Sequence, residues 1–263
     1  MTLYPVSISL GAYGADYVRR RGQASFIPLL AAAGVTWIEL REELGLPEPA
    51  ATAAAIADAG LTCVYSSPLE LWQLDQAAPN PAVAEALQQA QRFGAVWLKV
   101  SLGHYSPLAD VAALKPLLRE TPVRLLVEND QTPQGGRIAP LVQFFDKAAA
   151  LDVPVGMTFD AGNWHWQNES AFAAALELGH RVQYLHCKGV QRREGKWHAV
   201  PPTPEDLQLW QQLLARMPGG IVRAVEFPLQ GDDLLALTAE HCATLARLGQ
   251  PTAIEPRQEV AHG

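Results

Sequence analysis

Three observations predict a single α/β domain built as a (β/α)8 TIM barrel. Short β-branched and apolar runs alternate with longer Ala/Leu/Gln-rich runs along all 263 residues. The apolar runs recur about every 30 residues, the size of one βα unit. No linker or composition shift divides the chain, and a barrel of this class occupies about 250 residues as one unit. The barrel is assigned to residues 1–249 and a polar C-terminal tail to 250–263.

The elements follow in order. Strands are read at 6–10, 36–40, 62–67, 96–102, 123–129, 155–160, 182–188 and 221–228. The segment 80–93 (NPAVAEALQQAQRF) opens with an Asn cap and a proline at the first helical position. Its Val83, Leu87 and Ala90 recur at helical spacing. A second helix starts after Thr203 and places Leu207, Trp210 and Leu214 on one face. Gly34, Gly60, Gly94 and Gly220 precede strands, as helix-terminating glycines do. Strand–helix alternation with apolar strands implies a parallel sheet covered by helices. The first strand lacks a Gly-x-Gly-x-x-Gly turn and the chain lacks a Walker lysine loop, which removes support for nucleotide-binding folds. The long connection 189–204 reads as a functional loop.

Composition narrows the class further. Apolar residues make up 49% and charged residues 18%, which supports a packed core and argues against disorder. A net charge of −7 gives no general attraction for nucleic acid. No apolar run is long enough for a membrane span. The N-terminus lacks an export signal, and three scattered cysteines are no disulfide framework, so a cytoplasmic protein is expected.

In such a barrel the site lies at the C-terminal ends of the strands. There, four consecutive strands end in Glu128, Asp160, His186 and Glu226, each directly after an apolar residue. A lone carboxylate after a strand is usually a solvated loop residue or a cap. Three carboxylates converging on one mouth would repel one another and lose hydration, and a divalent cation relieves both costs. The oxygen-rich donor set favours Mn2+ or Mg2+, with Co2+ or Zn2+ also compatible.

These motifs resemble the xylose-isomerase-like barrel superfamily of sugar isomerases and epimerases, which also holds the AP endonuclease family 2 nucleases. The likeness rests on WIELRE, LVEND, GMTFDAGNWHW, YLHCKGV and VEF, and spans the second to the eighth strand. ELREE, SSPLELW and LKVSLG are similar to the epimerase-like branch of bacterial 2-ketogluconate utilisation. The resemblance implies one divalent ion held by Glu128, Asp160, His186 and Glu226. The nuclease branch needs further zinc-binding histidines. Here Ser66-Ser67, Ser101 and Asn163 stand at three of those places, with His104 three residues after Ser101 and only His198 left of an Asp-x-His pair. That branch is disfavoured. Against the epimerases, Asn163 replaces the usual substrate-binding His, and His165 lies two residues on. Arg192, six residues after His186, matches an arginine of some members.

The activity this implies is isomerisation or epimerisation of a sugar or sugar acid. A proton leaves the carbon next to a carbonyl, and a divalent ion stabilises the resulting enediolate. Glu128 and Glu226 are assigned as the acid–base pair as well as ligands. Candidate substrate contacts are Asn163, His165, Lys188, Arg192, Ser67, His104 and Trp164. Lys188 and Arg192 would suit a substrate carboxylate. For Trp164, with Trp166, core packing is an equal alternative to a wall against sugar carbons. Arg41 and Glu42 are expected to pair with each other. A dehydratase or aldolase, a hydroxypyruvate isomerase and a sugar-binding barrel without turnover are the competing readings. The expected partner is a small sugar or keto-sugar acid, with no nucleic acid or membrane; homo-oligomerisation stays open.

Overall fold

The computed structural model describes residues 3–250. Among these, eight parallel strands close into a barrel: β1 (Val6–Ser9), β2 (Trp37–Arg41), β3 (Thr62–Trp72), β4 (Ala95–Gly103), β5 (Arg124–Glu128), β6 (Val155–Asp160), β7 (Val182–Cys187) and, after a hairpin, β10 (Val222–Val225). β1 pairs with both β2 and β10, which closes the ring. Of the tail assigned to 250–263, residues 251–263 lie outside the described residues. No described helix is long and apolar enough to cross a membrane.

Side chains alternate across each strand and split the apolar residues into two cores. Ile38, Leu40, Leu98, Val100, Val127, Leu185, Cys187 and Val225 face outward and pack under the helices. Val64, Leu126, Tyr184, Val222 and Ala224 face inward, closed off by Trp37 and Trp97, whose rings stack 4.5 Å apart. The interior columns then turn polar toward the C-terminal ends: Trp37-Glu39-Arg41 on β2, Trp97-Lys99 on β4, Leu126-Glu128 on β5 and Tyr184-His186-Lys188 on and after β7.

The largest departure from the sequence reading is β3. Read at 62–67, it runs on to Trp72. Pro68 cannot donate to a sheet ladder, and a register shift between Ser66 and Glu70 accommodates it, after which the strand resumes with Glu70 opposite Ser101 and Trp72 opposite Gly103. Burial of Leu71 and Trp72, the latter edge-on to Tyr105 and Phe144, holds that extension in place. The helix expected from residue 80 runs Ala82–Arg92. Pro81 sits one residue ahead of the first helical position, and Asn80 Oδ1 accepts from the Ala82 N–H at 3.1 Å. The helix Pro204–Leu214 starts in a capping box between Thr203 and Asp206. The connection 189–204 is largely an antiparallel hairpin, β8 (Gly189–Arg193) and β9 (Lys196–Val200). Glu194 and Gly195, both at positive φ, form its tight turn.

Candidate metal centre

Glu128, Asp160, His186 and Glu226 converge at the C-terminal mouth, each offering a ligand atom within 4.8 Å of the others. The local fold explains how each is held. Asp160 ends β6, and its Oδ1 accepts from the N–H groups of Gly162 and Asn163 at 2.8 and 3.0 Å. Asn129 bridges from β5 to the Asp160 backbone, donating to its carbonyl at 2.9 Å and accepting from its N–H at 2.8 Å. Lys99 donates to Glu128 Oε2 at 2.6 Å, and Arg41 donates to Glu226 Oε1 at 2.8 Å. Glu39, fully buried, binds His186 Nε2 at 2.8 Å. It also takes the Tyr184 hydroxyl at 2.8 Å.

Each group is thus anchored through one atom and aims the other at a common point. Glu128 Oε1 and Glu226 Oε2 lie 3.1 and 3.0 Å from His186 Nδ1, and Asp160 Oδ2 lies 4.0 Å from it. Neither His186 Nδ1 nor Asp160 Oδ2 makes a well-formed hydrogen bond, though both are buried. With the Glu39 carboxylate holding a proton on Nε2, Nδ1 faces two carboxylates at close range. That arrangement is relieved either by a second proton on Nδ1, which makes the imidazole cationic, or by a metal cation that takes that proton's place. Three carboxylates and one imidazole, all inward-facing, fit a divalent ion such as Mg2+, Mn2+ or Zn2+.

The electrostatics follow from the same contacts. Burial raises the pKa of Glu39, but Lys99, His186 and Arg41 outweigh it and hold the carboxyl well below its usual range. Burial also opposes ionisation of Glu226 and Glu128. His186, Lys188 and Arg41 hold Glu226 low, and Lys99 and His186 hold Glu128 low. Asp160 goes the other way: burial, with Glu226 alongside, outweighs Lys188 and lifts it to about 7. Burial would lower His186, yet the carboxylates of Glu226 and Glu39 raise it well above its ordinary value.

The remaining expected contacts separate. Lys188 is buried in the cluster, with Nζ 2.6 Å from Asp160 Oδ2 and 3.0 Å from Glu226 Oε2. Asn163 is buried and its side chain is engaged within the loops, donating to Asn129 O and accepting from Gln131. Trp164 has no exposed surface and packs on Phe159, so core packing, not a wall at the mouth, is its place. His165 is exposed and faces Trp197 of the hairpin, ring to ring at 5.1 Å. Arg192 lies on the exposed hairpin over the same Trp197. Ser67 lines a separate pocket of about 190 Å³ with Glu42 and Tyr65. His104 lines another of about 700 Å³ with Tyr105 and Arg137. Arg41 pairs with Glu43 at 2.7 Å, in addition to Glu226, rather than with Glu42.

Glu39 and Lys99 lie outside the strand ends from which the candidate site is read in the sequence. A signal existed: each is a charge between two apolar residues in a strand, Ile38/Leu40 and Leu98/Val100, and therefore faces the barrel interior.

No protein-family model and no curated protein matches the sequence. Solved structures do match in fold. A xylose isomerase domain containing protein from Salmonella typhimurium LT2 is 17% identical with a TM-score of 0.69, over 95% of this chain and 99% of that one. A xylose isomerase-like TIM barrel protein from Mycobacterium smegmatis, in complex with magnesium, is 16% identical with a TM-score of 0.60, over 93% and 96%. D-psicose 3-epimerase from Clostridium cellulolyticum H10, with D-tagatose, is 14% identical with a TM-score of 0.62, over 94% and 96%.

Proposed function

For a chain with the xylose isomerase-like barrel fold, we propose a divalent-metal-dependent isomerase or epimerase acting on a sugar or sugar acid. The observation that carries this reading is the set of inward-facing donor atoms on Glu128, Asp160, His186 and Glu226, gathered within 4.8 Å of one another at the mouth of the barrel. These four residues would hold the ion. When bound, it supplies Lewis-acid stabilisation of the negative charge that develops on a carbonyl oxygen.

The chain's own groups supply the proton chemistry. Asp160 and His186 are fully buried, whereas the side chains of Glu128 and Glu226 each keep 13% exposure. Of the four, only these two carboxylates reach the mouth where a substrate enters. Neighbouring cations keep both ionised at neutral pH. They rise from β5 and from the end of β10, on either side of β6 and β7. The carboxylate of Glu226 takes the proton from the carbon next to the carbonyl, and the C–H electron pair shifts toward the carbonyl oxygen. Glu128, after taking up a proton from water, delivers it to the opposite face and inverts the centre, and Glu226 releases its proton to water. Return to the neighbouring carbon would give isomerisation. Lys99 and Arg41 orient the two carboxylates. Lys188 is placed to meet an anionic substrate group.

The test is solvent-deuterium exchange. Keto-sugars and keto-sugar acids are incubated in D2O with Mn2+-loaded protein and followed by NMR. Exchange at one carbon is expected, with a loss of at least about 100-fold in Glu226→Gln at unchanged fold. Retained exchange in that variant would remove Glu226 from the acid–base pair.

A further inference from the structure

Lys99, Arg41 and Lys188 all bring positive charge to the cluster, but not to the same atoms. Lys99 and Arg41 bind the outward oxygens, Glu128 Oε2 and Glu226 Oε1. Lys188 Nζ instead lies 2.6 Å from Asp160 Oδ2 and 3.0 Å from Glu226 Oε2, the oxygens that face the common point. The other Asp160 oxygen is already taken by two backbone N–H groups. The ammonium therefore sits on the one Asp160 oxygen left for a metal. Its place is also shaped by the fold. Gly162 has ordinary helical dihedrals, φ −87° and ψ −32°, so its backbone does not require glycine. A Cβ there would come within 2.7 Å of Lys188 Cγ, so the lysine stem needs the missing side chain.

We propose that Lys188 is a built-in cation that occupies the metal-facing oxygens of Asp160 and Glu226, weakens the site's affinity for divalent ions, and must withdraw when an ion binds. The inference rests on the metal-site reading above. A lysine has a flexible four-carbon stem and a compact charge, so it can both fill such a position and leave it. Each metal-binding event then exchanges a fixed monovalent charge for a mobile divalent one. The freed ammonium stays next to the site, where an anionic substrate group can take it up. Metal and an acidic substrate are accordingly expected to bind better together than apart.

The experiment compares chelator-stripped wild type with Lys188→Met and Lys188→Gln. Mn2+ binding is titrated by calorimetry, and folding is checked by circular dichroism. Both variants are expected to bind one Mn2+ per chain at least tenfold more tightly than wild type, although without metal they unfold at lower temperature. Tighter binding on loss of a side chain is not what damage to the site produces. Equal or weaker binding in the variants, with wild type still binding one ion, would overturn the role of Lys188 and leave the metal site standing. No Mn2+ binding by any of the three proteins would overturn both. The Gln variant keeps a hydrogen-bond donor beside Asp160 and serves if the Met variant does not fold.

Discussion

Glu39 sits beneath the mouth, and everything above it depends on how it holds His186. Its carboxylate touches His186 Nε2, the Tyr184 hydroxyl and, at 3.6 Å, the ammonium of Lys99. Glu39→Gln removes the charge that fixes the imidazole proton and leaves Lys99 without one of its two carboxylates. Metal affinity should fall about 10–100-fold, as for other partners of metal-binding histidines. Mn2+ titration of a folded variant measures this; unchanged affinity would mean that His186 is oriented by other contacts. His186→Ala should have a larger effect, since it removes a ligand atom. At this scale the mouth is legible in the sequence because a charge directly after an apolar strand can be recognised without coordinates. Glu39 and Lys99 are harder to see. They lie one layer deeper, and their meaning depends on the closed barrel placing two distant strands around one histidine. The substrate-contact readings for Trp164 and Arg192 illustrate the opposite limit. Spacing along the chain puts both near the mouth, but it does not show that Trp164 is fully buried or that Arg192 lies over Trp197 on an exposed hairpin.

Among the elements, the β3–β4 extension and the capped helix Pro204–Leu214 give the clearest tests. Gly103 ends β4 at φ +67°, and a Cβ there would collide with the Trp72 carbonyl and the Glu70 side chain. Gly103→Ala therefore combines an unfavourable backbone conformation with a clash, and should cost at least about 2 kcal/mol in urea unfolding. Thr203→Ala removes half of a capping box and should cost about 1 kcal/mol. A cost near zero at Gly103 would show that the β3–β4 pairing relaxes around the added methyl. The sequence marks both elements differently. Thr203-Pro204 and the Asp three residues after the cap announce a helix start by local chemistry alone. The β3 extension past Pro68 has no such local mark, because whether a strand continues beyond a proline depends on a bulge that only the partner strand defines.

On the scale of the whole molecule, strands and helices together bury all three cysteines. Cys63, Cys187 and Cys242 are buried and unpaired. Burial pushes the Cys63 thiol up to about 12 and Cys242 to about 11, and raises Cys187 as well. A raised thiol pKa keeps the unreactive protonated form dominant up to pH values well above 8. At pH 8 the folded protein should thus react with a thiol reagent at a negligible rate, and all three thiols should react after denaturation. Rapid labelling of one thiol would reveal local opening of the helical layer. The barrel itself is the most legible feature, because its repeat of apolar strand and amphipathic helix is written eight times and needs no long-range information. The single metal site is counted by elemental analysis of protein purified without chelator and then saturated with Mn2+. About one divalent ion per chain, lost in His186→Ala, is the result expected. No bound ion, or about three zinc ions per chain, would contradict it.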